Sequence, residues 1–313
     1  MQDSSGFEFV ALRYPYNRPK AILITPDKLH TDAIKCACCT YIQEHHVNQA
    51  DIMCDSIDFL VNCPSLEHLR IRPPISFNGV FDFSPLYAMP KILSLSVQNK
   101  YGSQNQHLST IDFSRINGLI DLFVSVNQGT INYSNIDTLK SLRIVGYKGK
   151  QRNLSGMFCS KELDTLSIMQ SNIISLDGIE VSDKMQCLYL CHNKSLRDIE
   201  ALKKVKHTLR ALRIENCPQI QDFSVLSELE HLELLELTGS NAIDDIKFIE
   251  EIKSLKTFVF SVNVRDGDLS PCLKLSYAHC SKPHKHYNIP TQALPKNSYH
   301  RGNENIEEWR RLE

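Results

Sequence analysis

The chain has 313 residues, 42% of them hydrophobic and 23% charged, enough to bury a sizeable core in one elongated domain or two compact ones. Lys plus Arg (35) nearly cancel Asp plus Glu (36), so no global field draws in nucleic acid or an anionic membrane surface, and neither is expected as a partner. The opening "MQDSSGFEFV" lacks a basic region followed by an apolar core, and no later run reaches the roughly 18 apolar residues of a membrane span, so a cytoplasmic protein is expected.

In that compartment the 11 cysteines, odd in number and irregularly spaced, read as reduced thiols rather than a disulfide framework. From the N-terminus, "FEFVALRY" and "KAILITP" have the make-up of strands and "HTDAIKCACCTYIQEHH" that of a helix. Residues 1–59 are expected to form an end cap. Within it Cys36, Cys38 and Cys39, with His45, His46, Cys54 and Cys63, offer zinc-type ligands. On a helix Cys36 and Cys39 share a face while Cys38 points elsewhere, so buried thiols are expected there rather than a metal.

From Leu66 one skeleton recurs: "LEHLRI", "ILSLSV", "LIDLFV", "LKSLRI", "LDTLSI", "MQCLYL", "LRALRI", "LELLEL" and "LKTFVF". Their first residues, Leu66, Ile92, Leu119, Leu139, Leu163, Met185, Leu209, Leu232 and Leu255, are separated by steps of 20 to 27 residues, a solenoid period. Every copy is apolar at its first, fourth and sixth positions. The ninth position holds Asn127, Ser171, Asn193, Cys217, Ser240 or Asn263 in six copies, while the second copy has Lys100 there and the first runs into "RPP".

These residues resemble the leucine-rich repeat, L-x-x-L-x-L-x-x-N/C-x-L, over residues 60–275. The resemblance implies an α/β fold: a curved solenoid with a parallel β-sheet on its concave face and short helices or turns on its convex face. The physical basis is that one unit cannot bury its own apolar edge, whereas stacked units bury a continuous core. The uneven repeats resemble bacterial intracellular members of the family. Segments between the strands, such as "SLDGIE", "IQDFSVLSEL" and "AIDDIKFIEEI", carry apolar residues three and four apart, as in Ile243, Ile246, Ile249 and Ile252, and Asp or Ser often precedes them as a cap.

Because the pattern's leucines point inward, the residues between them point outward onto the sheet face. The fifth-position column reads Arg70, Ser96, Phe123, Arg143, Ser167, Tyr189, Arg213, Glu236 and Val259; a flanking column adds Arg72, Gln98, Met169, Cys191 and Glu215. A solvated face would also show a mixed polar set. Aromatics and arginines, however, are the residues that supply binding hot spots. Arg70, Phe123, Arg143, Met169, Tyr189, Arg213, Glu215 and Glu236 are therefore the candidate binding residues, with side chains expected to lie outside the core.

Beyond Leu275 the repeat gives way to Pro, His and Asn, and residues 276–313 are expected to be mostly an extended tail. His279, Cys280, His284 and His286 offer metal ligands in a polar His-rich terminus, and Asn305 with Glu308 predicts a short helix carrying Trp309. No G-x-S-x-G, phosphate loop, H-E-x-x-H or EF-hand motif occurs, so no enzyme activity and no cofactor are expected. The expected function is recognition of a protein partner, as an immunity or regulatory protein by analogy with the family. The alternatives are the targeting scaffold of an effector and a metal-regulated interaction protein.

Overall fold

The computed structural model describes residues 8–12, 18–24, 32–73, 80–97, 107–108, 110–126 and 130–299. Gln98, Lys100, Asn127 and the predicted helix with Trp309 lie outside them. The chain divides into two units, one up to Leu142 and one from Arg143 on, and the strand Ser141–Val145 carries the division.

In the first unit β1 (Glu8–Leu12) and β2 (Arg18–Ile24) pair antiparallel, and α1 (Asp32–Glu44) follows. Strands β3 (Gln49–Ile52), β4 (His68–Ile71), β5 (Ser94–Val97) and β6 (Asp121–Ser125) then add to β2 in parallel. The register sets Ile22, Ala50, Leu69, Leu95 and Leu122 side by side, each at most 2% exposed. On α1 the buried face is Cys38, Cys39 and Ile42, with Cys36 exposed. This differs from the expected pairing of Cys36 with Cys39, because the i,i+4 pair Cys38–Ile42 faces the core. The Cys39 thiol donates to the Phe59 carbonyl at 3.2 Å.

Numbering the strand Ser141–Val145 as β7, the second unit stacks β8 (Thr165–Met169), β9 (Cys187–Cys191), β10 (Ala211–Glu215), β11 (Leu234–Thr238), β12 (Thr257–Phe260) and β13 (Tyr277–Cys280) in parallel. Leu166, Leu188, Leu212, Leu235, Phe258 and Ala278 form one in-register column, all 0% exposed. The ladder thus runs one strand past Leu275.

The returns between strands are 3-10 turns, among them Glu200–Val205, Ser224–Glu228, Lys247–Glu250 and Ser270–Lys274. Their brevity suits the 3-10 geometry, which closes a turn in three residues. An aspartate opens several of them by accepting the backbone N–H two residues on: Asp198 from Glu200, Asp222 from Ser224, Asp245 from Lys247 and Asp268 from Ser270, at 2.8–2.9 Å. Ile243, Ile246, Ile249 and Ile252 are all buried beneath them. Among the described residues no helix is long and apolar enough to cross a membrane.

The ninth-position ladder is present where the amide or thiol reaches back one repeat. Asn193 donates to the Ile168 carbonyl at 2.8 Å and accepts from the Ser171 N–H and hydroxyl at 2.9 and 2.6 Å; the Cys217 thiol faces the Leu190 carbonyl at 3.6 Å. Ser261 bonds Gly239 in the same manner, its hydroxyl accepting from the Gly239 N–H at 2.8 Å. This role of Ser261 is not evident from the repeat consensus.

Candidate functional site

On the outer face of the second unit's sheet, opposite the buried column, three rows run across the strands. The central row is Ser167, Tyr189, Arg213, Glu236, Val259 and His279; one flank is Met169, Cys191, Glu215 and Thr238; the other is Thr165, Cys187, Ala211, Leu234, Thr257 and Tyr277. Neighbours in a row stand about 4.8 Å apart, as parallel strands require. The period that stacks the leucines therefore also stacks the candidate binding residues.

These side chains form a bonded network. Arg213 Nε donates to Glu236 Oε2 at 2.6 Å, and the Arg213 guanidinium lies 5.0 Å from the centre of the Tyr189 ring. The Tyr189 hydroxyl donates to the Glu215 carboxylate. Burial above all, with Cys191 and Glu215 close by, pushes the Tyr189 hydroxyl far above its ordinary range and keeps it a donor. The Arg213 and Glu236 side chains are only 12% and 6% exposed. The expectation that these groups lie outside the packed interior is corrected accordingly: they are half-buried or buried, because each pairs with a side chain of an adjacent repeat.

The middle of the third row is apolar and closed. Cys187, Ala211 and Leu234, 2%, 1% and 1% exposed, form a patch against which Tyr189 and Tyr299 pack. Tyr299 arrives from the segment expected to be an extended tail. Tyr277 and Lys296 form an antiparallel bridge, the Ala278 N–H donates to the Pro295 carbonyl at 2.9 Å, and the Asn297 N–H donates to the Ser276 carbonyl at 3.1 Å. From that anchored edge the Tyr299 hydroxyl donates to Glu236 Oε1 at 3.1 Å, and its ring meets Tyr277 edge-on at 5.0 Å.

The other candidates lie on other strands. Met169 is half-buried at the end of β8, and Arg143 is buried in β7. In the first unit, Arg70 and Arg72 both donate to Asp51, whose side chain is 0% exposed; Arg72 does so from Nε at 3.0 Å and from its Nη2 at 2.8 Å. Phe123 is half-buried in β6, in register with Ser96.

Among the described residues, one group offers three metal-type donors within 4.8 Å of one another: Cys191, His192 and Glu215. Its groups have other roles. Glu215 already accepts the Tyr189 hydroxyl, and burial pushes the Cys191 thiol up to about 11. The left-handed backbone of His192 is not a site-specific strain either, since Gly146, Gln170, Asn216 and Gly239 occupy the same repeat position with positive φ. Of the tail's donors, the Cys280 thiol donates to the Lys282 carbonyl at 3.3 Å and His286 Nε2 faces the Val264 carbonyl at 2.9 Å.

No protein-family model matches the chain, and no curated protein matches it. Among solved structures it is similar to an internalin from Listeria monocytogenes, with 22% identity and a TM-score of 0.54 over 76% of this chain and 67% of the internalin. It is also similar to TLR13 in its complex with ssRNA13, with 18% identity and a TM-score of 0.50 over 77% of this chain and 41% of TLR13, so it spans less than half of that receptor. A leucine-rich-repeat protein of Leptospira interrogans matches at 14% identity and a TM-score of 0.49, over 79% of this chain and 71% of that one. With the parallel ladder and its buried leucine column, the likenesses to the internalin and to TLR13 establish that the chain has the leucine-rich-repeat fold.

Proposed function

We propose that this chain is a non-enzymatic binding module that takes a protein partner on the outer sheet face of its second unit, around Tyr189, Arg213, Glu215 and Glu236. The observation that carries the reading is the apolar patch of Cys187, Ala211 and Leu234 on the outer face, rimmed by aromatic and charged side chains. Tyr189 and Tyr299 cover the patch in this structure; uncovered, it would supply the apolar centre with an aromatic and polar rim that protein interfaces use. The pairing of Arg213 with Glu236 also favours protein over nucleic acid, because the cation a phosphate backbone would seek is already neutralised.

Site-directed photo-crosslinking in the native source tests this. A benzophenone side chain at Met169 or Thr238, both half-buried on that face, is expected to crosslink one discrete protein, and one at Glu228, exposed on the 3-10 side, is not. Crosslinks from Glu228 alone would place the partner on the opposite side and end the proposal.

A further inference from the structure

We infer that the outer face contains a seat for a tyrosine side chain, that Tyr299 holds this seat in cis, and that the partner presents a tyrosine which displaces it. The inference rests on the binding reading above and adds how the face is gated and what it recognises.

The seat has an apolar floor and a polar end. Its floor is Cys187, Ala211 and Leu234, which succeed one another across β9, β10 and β11 at strand positions whose side chains point away from the leucine column. The Tyr277 ring forms a wall, meeting the incoming ring at 79°. At the far end Glu236 Oε1 takes the tyrosine hydroxyl at 3.1 Å while Oε2 takes Arg213 Nε at 2.6 Å, so one carboxylate joins the seat to the candidate binding network. A phenol meets both demands, since its ring covers apolar floor and its hydroxyl satisfies a buried acceptor. An aliphatic side chain would leave that Glu236 oxygen without the hydroxyl.

The occupant is held by a short tether. Between Leu294, 2% exposed, and Tyr299 the chain pairs with the edge of β13, and Lys296 Nζ donates to the Ala278 carbonyl and lies 4.7 Å from the centre of the Tyr277 ring. The anchor at residues 295–298 is made of backbone hydrogen bonds to β13 and Ser276 that do not involve the Tyr299 side chain. Of the described strap, Tyr299 lies beyond these backbone bonds, and it is its side chain that leaves the floor when the face opens. The cis contact and a partner's tyrosine would then compete for the same floor and the same carboxylate oxygen, and binding in trans is weakened by whatever the cis contact contributes.

Cys187 makes the seat observable without a partner, because its thiol lies in the floor. The test is iodoacetamide labelling of the full-length native protein, with Cys187 and Cys191 resolved by fragment-ion mass spectrometry and the fold checked by circular dichroism. Cys187 should label at least tenfold more slowly than exposed Cys159 in the wild type. Tyr299→Ala should raise the Cys187 rate at least tenfold with an unchanged spectrum, and Tyr299→Phe should raise it far less. In Tyr299→Ala, millimolar p-cresol should restore protection at least threefold more effectively than toluene, which lacks the hydroxyl. Rapid Cys187 labelling in the wild type, no change in Tyr299→Ala, or equal protection by p-cresol and toluene would each overturn the inference.

The gating half is read from the crosslinks at Met169, which should rise at least threefold in Tyr299→Ala and fall on adding p-cresol to that variant. Crosslinks from Met169 that ignore Tyr299→Ala would leave the binding reading standing and overturn this one. Crosslinks confined to Glu228, with Cys187 labelling as expected, would overturn the partner's tyrosine and the binding reading while the cis seat stood.

Discussion

Arg213 and Glu236 occupy equivalent positions in consecutive repeats, paired across β10 and β11, and their side chains meet at 2.6 Å with 12% and 6% exposure. An ion pair so enclosed gains little net stability over an apolar pair, but removing one partner strands the other charge. Arg213→Ala should therefore destabilise the protein by about 3–5 kcal/mol. Adding Glu236→Gln should recover part of the loss. Urea denaturation of the two variants checks this; an unchanged midpoint for Arg213→Ala would show that Glu236 is well solvated without its partner.

The leucine column supplies a second expectation. Leu212 is 0% exposed, between Leu188 and Leu235 in the ladder, and neighbouring repeats leave little room for the backbone to collapse onto a void. Leu212→Ala should cost about 2–5 kcal/mol, measured by thermal or chemical denaturation. A melting point equal to wild type would contradict the packing.

The buried positions of each unit were legible in the sequence because their signal is periodic: each of Leu69, Leu95, Leu122, Leu142, Leu166, Leu188, Leu212, Leu235 and Phe258 is at most 2% exposed. Two further copies escaped, starting at Val47 and Leu275, because alanine stands where the pattern wants leucine. Their strands nonetheless pair in register, Ala50 with Leu69 and Ala278 with Phe258. The tail escaped for another reason. Up to Tyr299 its order comes from single contacts with distant residues, such as Asn288 Nδ2 donating to Asp268 at 2.7 Å, the Tyr287 hydroxyl accepting from the Val264 N–H at 3.2 Å, and Tyr299 reaching Glu236, 63 residues away. Contacts of that kind leave no local period. The residues of the outer face could be named from the repeat, but their mutual pairing and their cover could not, since both depend on side-chain reach.

The aspartates that open the 3-10 turns should make the protein acid-sensitive. Hydrogen bonds from Ser84, Ser114, Ser224 and Ser270 hold the carboxyls of Asp82, Asp112, Asp222 and Asp268 below their ordinary value, with Asn132 assisting at Asp112 and Asn288 at Asp268. A folded-state value below the unfolded one means stability that is present above about pH 4 and lost as pH falls through the folded values. The urea midpoint should drop below about pH 4, and Asp222→Ala with Asp268→Ala should flatten that slope while lowering stability at pH 7. A double variant with the wild-type slope would show that these turns do not contribute.

The thiols should work at the other end of the pH scale. None of the 11 cysteines, all among the described residues, is in a disulfide, and only Cys36 and Cys159 are exposed, which leaves nine buried. Burial pushes the thiols of Cys38, Cys54, Cys187, Cys217 and Cys272 up to about 12, from 9.0, because a thiolate in an apolar interior loses its hydration. Here the folded-state value lies above the unfolded one. The associated stability is complete below about pH 9 and is lost progressively as pH rises toward 12, because the unfolded chain releases these protons first. Two measurements follow. Ellman titration at pH 8 should find two fast thiols in the native protein and eleven after denaturation, and the urea midpoint should decline above about pH 9. In Cys217→Ala, which removes one of the buried thiols, the alkaline decline should be shallower than in wild type. Fewer than eleven thiols in the denatured protein would mean a covalent link among the cysteines, and more than two fast native thiols would mean that the stack is looser than its packing implies.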